Sequence, residues 1–187
     1  FAWWAHIIGI FGFLNYLPFS KHFHIILAFP NTFYSKLQEK GEFDNLQSVK
    51  KEVELMMDPS ADPFASPPPG EEQAAPDRFG AKDVNDLNWV QLMNAYTCTE
   101  CGRCTAECPA NQTGKLLSPR KIMMDTRDRL DEYGKNVRSN GGEFKDDGKS
   151  LVHDFIKPEE LWACTTCNAC EEACPVNIDP LSIIIDL

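Results

Sequence analysis

The chain has 187 residues and a formal net charge of −10. Residues 1–57 carry five basic and five acidic side chains, so the whole excess lies in residues 58–187, with 13 Lys/Arg against 23 Asp/Glu. No basic stripe is present, which excludes a nucleic-acid footprint, and the size suits one modest domain with extra segments.

The chain begins at Phe1 inside an apolar run and ends just after the apolar stretch Leu181 to Ile185, so a segment of a longer protein is expected. No charged n-region or cleavage site marks a signal peptide. Residues 1–20, FAWWAHIIGIFGFLNYLPFS, contain no Asp, Glu, Lys or Arg. About 20 such residues span a bilayer core. Trp3, Trp4 and Tyr16 are the aromatics expected near the interfaces, and Lys21, Lys36 and Lys40 after the run put its C-terminal end on the cytoplasmic side. A transmembrane helix is therefore expected within residues 1–31, the alternative being a buried helix of a soluble core.

His6, His22 and His24 stand out there, because ionisable groups in a membrane helix are functional candidates. His6 and His24 are 18 residues apart. On one continuous helix that is about five turns, so they share a face about 27 Å apart. They can then serve two haems at opposite depths, each needing its second axial ligand from outside this chain. His22 lies about 160° away from His6 on that helix, and Pro18 is a kink site. The segment LPFSKHFH, Leu17 to His24, resembles the end of the last haem-binding helix in the cytochrome b subunit of respiratory nitrate reductases. That family has a Pro-Phe-Ser/Thr-basic-x-x-His segment with another haem histidine 18 residues upstream. The resemblance implies haem b at His6 and His24, and a segment 1–31 that closes a haem b-binding membrane domain. His22 has no counterpart in it. On the plainer reading, His22 and His24 are polar residues ending an anchor.

Residues 32–57 form a connector. Leu46, Val49, Val53 and Met56 recur at helical spacing, predicting a short amphipathic helix over 44–57. Residues 58–78 hold six prolines and read as an extended linker.

Residues 79–187 contain all eight cysteines. Cys98, Cys101, Cys104 and Cys108 precede Pro109; Cys164, Cys167, Cys170 and Cys174 precede Pro175. Both runs read C-x2-C-x2-C-x3-C-P, the ligand run of proteins with two 4Fe-4S clusters, in which the fourth cysteine ligates the other cluster. One cluster is thus expected on Cys98, Cys101, Cys104 and Cys174, and the other on Cys164, Cys167, Cys170 and Cys108. Disulfides suit small secreted domains, and zinc sites favour separated C-x2-C pairs. Both fit these runs less well. Unpaired thiolates imply a reducing compartment, here the cytoplasmic side.

Within the domain, 83–93 predicts a helix capped at Asp86 with Trp89, Leu92 and Met93 on its apolar face. Ser118 and Pro119 start a second helix that Gly134 ends. Residues 135–150 read as a surface loop. KPEELWAC starts a further helix carrying Trp162, which is expected, with Met123 and Met124, to pack around the clusters. Strand alternation is scarce. The expected fold is all-α: a transmembrane helix plus an α-helical ferredoxin domain with two 4Fe-4S clusters.

The stretches YTCTECGRCTAECPA and ELWACTTCNACEEACPV, with 55 residues between Cys108 and Cys164, resemble the α-helical ferredoxin domain found in the iron–sulfur subunits of succinate dehydrogenase and of heterodisulfide reductase. Joined to a haem-binding membrane segment, the whole is similar to the membrane iron–sulfur oxidoreductases related to heterodisulfide reductase. That resemblance implies electron transfer at the inner membrane between a cytoplasmic redox protein, such as electron-transfer flavoprotein, and the quinone pool. Such proteins continue into repeats with a Cys-Cys-Gly motif, and this chain has no adjacent cysteine pair. Two other readings stay open. One is the relay portion of a thiol/disulfide oxidoreductase; the other is an accessory or assembly subunit of a respiratory or photosynthetic complex. No general base, nucleophile or Gly-rich phosphate loop is evident, so no catalytic residue is expected.

Overall fold

A computed structural model describes residues 1–39, 42–43, 45–57 and 79–187. Helix α1 (Ala2–Tyr16) buries none of its residues. It does not continue as the single spanning helix expected within 1–31. Two 3₁₀ turns, Leu17–Phe19 and Lys21–Phe23, intervene before α2 (His24–Phe33). Pro18 has no amide hydrogen to extend the α1 ladder. Ser20 is extended (φ −131°, ψ 166°), and its side chain accepts from the His22 amide, which caps the next turn instead. At 15 residues, α1 is about 22 Å long, against about 30 Å of hydrocarbon. Among the described residues no helix is long and apolar enough to cross a membrane. The shared face of His6 and His24 falls with the continuous helix.

Helix α3 (Gln47–Met57) falls within the predicted amphipathic stretch. Val49, Val53 and Met56 are exposed on it. The Pro-rich linker lies outside the described residues.

From Phe79 the chain forms a helical body. The Ala81 amide donates to the Asp186 carbonyl at 2.5 Å, joining the start of this body to its end. Asp83 and Asp86 cap a 3₁₀ turn, Val84–Asp86, reciprocally. Asp86 therefore does not cap the next helix. Helix α4 (Trp89–Thr97) opens on Asn88, which exchanges 2.9 Å bonds with Gln91 in a capping box. Short helices α5 (Arg103–Ala106) and α6 (Pro109–Gln112) follow the first cysteines.

Helix α7 (Pro119–Ser139) starts, as predicted, on the Ser118 cap but runs through Gly134. Its last turns are held by the chain that folds back on them. Asn136 Nδ2 donates to the Lys145 carbonyl at 2.8 Å, and Tyr133 stacks on Phe144 with ring centroids 4.2 Å apart. The turn to the left-handed region comes instead at Gly141 (φ 75°) and Gly142 (φ 107°), so the predicted loop begins later than 135. An irregular turn at Leu151–Phe155 leads to α8 (Pro158–Trp162), α9 (Ala169–Glu172) and α10 (Pro180–Asp186). No strand occurs among the described residues, only one isolated bridge between Val152 and Ile156.

The core gathers Val84, Ala95, Leu117, Ile122, Met123 and Leu151 with Ile156 and Ile183. Trp162 is not part of it: its side chain is 88% exposed. Trp89 is also exposed, and its ring meets Tyr34 edge-on at 4.8 Å. That contact helps pack α2 against α4. Arg129 of α7 is fully buried among Asp83, Asp147 and the Lys149 carbonyl.

Candidate metal centre

The two cysteine runs fold as near copies. Cys98 leaves α4 with extended geometry. Glu100 and Gly102 then turn left-handed, with φ of 60° and 84°. In the second run Thr166 and Asn168 do the same, with φ of 53° and 58°. A positive φ is free for Gly, tolerated by Asn, and strained for Glu and for β-branched Thr. Strain of this kind clusters at ligand-holding loops. What it achieves is visible in the amides. The Glu100 N–H donates to Cys98 Sγ and the Thr166 N–H to Cys164 Sγ, each at 3.4 Å. The third cysteine of each run lies in a one-turn helix, α5 or α9, and these two helices pack together.

That pairing brings the runs across each other. Cys98, Cys101 and Cys104 line a pocket with Cys170 and Cys174, closed by Met123, Val176 and Ile178, and Cys174 lies within electrostatic reach of Cys98 and Cys104. Cys164 lies within electrostatic reach of Cys108 and Cys167. All eight cysteines are free thiols. Among the described residues no three Cys, His, Asp or Glu side chains converge on one point as a single ion requires. The thiols of the first run instead line a space, and in both runs a loop amide is aimed at sulfur. A cubane needs four thiolates around a body and hydrogen bonds to its sulfurs, so the residues fit that group.

Burial pushes the Cys98, Cys104 and Cys164 thiols up and the Cys170 thiol to about 12. With no metal bound, these four hold their protons at neutral pH. Iron must displace those protons, which couples assembly of the site to folding.

Several residues that sequence reasoning passed over surround the first run. The Glu100 carboxylate accepts from Arg127 of α7 at 2.5 Å and from Lys21 at 2.9 Å. Arg127 first, then Lys21, hold that carboxyl below its usual range. Asn31 of α2 is buried and donates through Nδ2 to the Val176 carbonyl at 2.9 Å. Its Oδ1 is the buried side-chain oxygen without a partner among the described residues. Lys121 joins α7 to α8 through Glu160 at 2.9 Å. A charged residue inside a cysteine run is a sequence signal that marks Glu100, whereas nothing local marks Arg127 or Asn31.

The histidines are not brought together. His6 is exposed on α1. His22 packs back on Phe13 and Tyr16, with ring centroids at 5.7 and 6.5 Å. His24 Nδ1 lies 2.6 Å from the Lys21 carbonyl. A carbonyl only accepts, so Nδ1 carries the hydrogen, and Nε2 is the nitrogen that this contact leaves for another partner.

Residues 97–178 match the 4Fe-4S dicluster domain family. The chain is 32% identical to the probable iron-sulfur-binding oxidoreductase FadF of Bacillus subtilis, over 100% of this chain and 27% of that protein. It is 27% identical to the EtfAB:quinone oxidoreductase of Syntrophomonas wolfei, over 99% of this chain and 25% of that one. It is 31% identical to an iron-sulfur subunit of the CoB–CoM heterodisulfide reductase of Methanopyrus kandleri, over 47% of this chain and 34% of that one. The chain thus spans about a quarter of the length of the first two relatives. No solved structure is significantly similar to it. Residues 97–178 thus carry the 4Fe-4S dicluster pattern, with eight free thiols in a helical body, and the chain is similar to iron–sulfur oxidoreductases and to heterodisulfide reductase subunits.

Proposed function

We propose that the chain is the electron-transfer part of a membrane-anchored oxidoreductase, working between a cytoplasmic redox protein such as electron-transfer flavoprotein and the quinone pool. One 4Fe-4S cluster is held by Cys98, Cys101, Cys104 and Cys174, and the other by Cys164, Cys167, Cys170 and Cys108. The observation that supports this assignment is that Cys174 lies within electrostatic reach of Cys98 and Cys104, and Cys108 of Cys164. When bound, the clusters supply one-electron oxidation and reduction. The chain's own residues hold and shield them. The Glu100 and Thr166 amides donate to ligating sulfur, and Met123, Val176 and Ile178 give the first set an apolar wall.

The membrane anchor, on the cytoplasmic face of which the cluster domain sits, is residues 1–31 together with helices outside this chain. His24 is the better supported haem b ligand, because its Nδ1–H is engaged by the Lys21 carbonyl and Nε2 is left to bind iron. His6 is the second candidate, for a separate haem, and both need axial partners from elsewhere. The similarity to the iron-sulfur subunit of heterodisulfide reductase supports a second reading, the relay portion of a thiol/disulfide oxidoreductase.

Iron, sulfide and haem quantification on the purified membrane protein, with optical and EPR spectra after dithionite reduction, tests the proposal. The expected result is about eight irons per chain, as two cubanes require, two interacting cluster signals, and b-type bands that weaken in His24→Ala. Zinc in place of iron would overturn the cluster reading. Intact clusters without haem would confine residues 1–31 to anchoring.

A further inference from the structure

The two sets of thiols have matching loops but not matching surroundings. Each set receives one loop amide on its first cysteine at 3.4 Å and a backbone amide on its third, from Thr105 on Cys104 and from Glu171 on Cys170. The backbone bonds therefore match, and only the Thr105 side chain at Cys104 is added in the first set. Charge and burial separate the sets further.

The first set is rich in fixed cations. Arg103 and Arg120 line its pocket. Arg120 Nη1 lies 3.8 Å from where a Cβ on Gly102 would stand, against the loop itself. Arg127 and Cys98 line one cleft beneath residues 18–23. Arg127 is held there at 2.5 Å by Glu100, two residues after Cys98. Its charge is felt at the Cys98 sulfur. Glu100 is an anion in the same place, but Lys21 and Arg127 both bind it.

The second set lies among acids. Residues 158–187 contain no Lys or Arg and six Asp/Glu. The wall beside Asn168 carries Lys36 against Glu39, Glu42, Glu171, Asp179 and Asp186. Asp179 is felt at Cys170. Each set has one exposed cysteine, Cys101 or Cys167, but the second set buries Cys108 and Cys170 whereas the first buries none of its four.

Reduction adds negative charge. A nearby fixed cation stabilises the reduced form, while burial and neighbouring carboxylates oppose it. Resting on the cluster assignment above, we propose that Arg127, set beside Cys98 by Glu100, makes the cluster on Cys98, Cys101, Cys104 and Cys174 the more readily reduced of the two. Arg127 acts as a positioning charge and ligates nothing. The same site is the one on which residues 21–31 dock, through Lys21 to Glu100 and Asn31 to the Val176 carbonyl. The electron therefore rests at the site nearest the segment that carries His24.

The test is a potentiometric EPR titration of the full-length holoprotein with iron quantified. Cys101→Ser, at the exposed ligand, identifies which signal belongs to the first set. In the wild type that signal has the higher midpoint. Arg127→Gln lowers the reduced-to-oxidised ratio of that cluster about tenfold at fixed potential, about 59 mV for one electron. Arg127→Lys restores most of the shift. Asp179→Asn, which keeps an oxygen for the α10 cap, raises the ratio of the other cluster and leaves the first unmoved. A lower midpoint for the Cys101 signal, or unmoved midpoints in Arg127→Gln, would overturn the proposal. If Arg127→Gln loses its cluster, the wild-type order and Asp179→Asn decide the question. A protein without iron sinks the cluster assignment itself, whereas intact clusters in the wrong order sink only this inference.

Discussion

Arg129 and Asp83 face each other across the domain in a two-pronged pair. Arg129 Nε donates to Asp83 Oδ1 at 2.9 Å, and Nη2 to Oδ2 at 2.6 Å. Arg129 has no exposed side-chain surface. Its remaining donors go to Asp147 at 2.6 Å and to the Lys149 carbonyl at 2.8 Å. Asp83 Oδ1 also accepts the Leu151 amide. One buried cation thus joins the domain entry, the middle of α7 and the chain before α8. Removing Asp83 leaves Arg129 buried with Asp147 as its remaining carboxylate and strips donors of their acceptor, at about 1–3 kcal/mol. Asp83→Ala is therefore expected to lower the unfolding midpoint strongly. Lys149→Ala, at an exposed pair with Glu132, is expected to cost about 0–1 kcal/mol. Denaturant melts of the two variants, run in parallel with the wild type, check the contrast.

The Asp147 limb of this cluster carries a pH signature. The Arg129 guanidinium holds the Asp147 carboxyl below its usual range. A depressed folded value contributes stability that is complete above the unfolded value, about 3.9, and is lost as pH falls through the folded one. The stability gap between wild type and Asp147→Asn should be constant near neutral pH and close as pH falls below about 4. Thermal midpoints of both proteins across pH 7 to 3 measure it. A gap that widens toward acid would contradict the assignment.

Glycines at positive φ separate two costs. At Gly80 (φ 88°) an added Cβ would stand 2.6 Å from the Asp186 carbonyl oxygen, a backbone atom that has nowhere to go. At Gly114 (φ 81°) nothing lies within 4 Å. Gly114→Ala should cost only the left-handed penalty, about 1–2 kcal/mol. Gly80→Ala adds a clash at the contact joining the ends of the domain, so its unfolding midpoint should fall further. Equal losses would mean that the Gly80–Asp186 approach relaxes freely.

The parts legible in the sequence were those with local rules. The cysteine spacing, Gly102 in its loop, and the Ser118–Pro119 start of α7 all follow from short-range geometry. What was hidden depends on distant partners. Asn88, not Asp86, caps α4 because Gln91 answers it, while Asp83 takes Asp86 for its own turn. Gly134 stays helical because Tyr133 and Asn136 are gripped by the returning loop. Trp162 looked like core and is exposed, since apolar character alone does not say which side of a one-turn helix faces in. The helix expected to cross residues 1–20 stops at Tyr16 because Ser20 caps a new turn. The buried role of Arg129 and the placement of Arg127 rest on pairs far apart in sequence, for which no local signal exists.

The crossing of the cysteine runs gives the sharpest prediction for the site. Cys174 lies within electrostatic reach of Cys98 and Cys104, although it closes the second run. Cys108 is buried beside Cys164, although it follows the first. If each run wrapped its own cluster, Cys174→Ser would perturb the same signal as Cys167→Ser. With crossed ligation it should instead perturb the signal affected by Cys101→Ser, and Cys108→Ser should act with Cys167→Ser. Mössbauer and EPR spectra of the four single variants, each with its iron content, decide between these groupings. Serine keeps an oxygen donor at each position, so partial occupancy with a shifted signal is expected rather than loss of both clusters. Crossed ligation also ties the halves of the domain together through metal. Loss of either cluster should then release a cysteine from each run, and protection of the amides at both Glu100 and Thr166 from hydrogen exchange should fall in either variant. Protection lost at only one loop would show that the two halves fold around their metal independently.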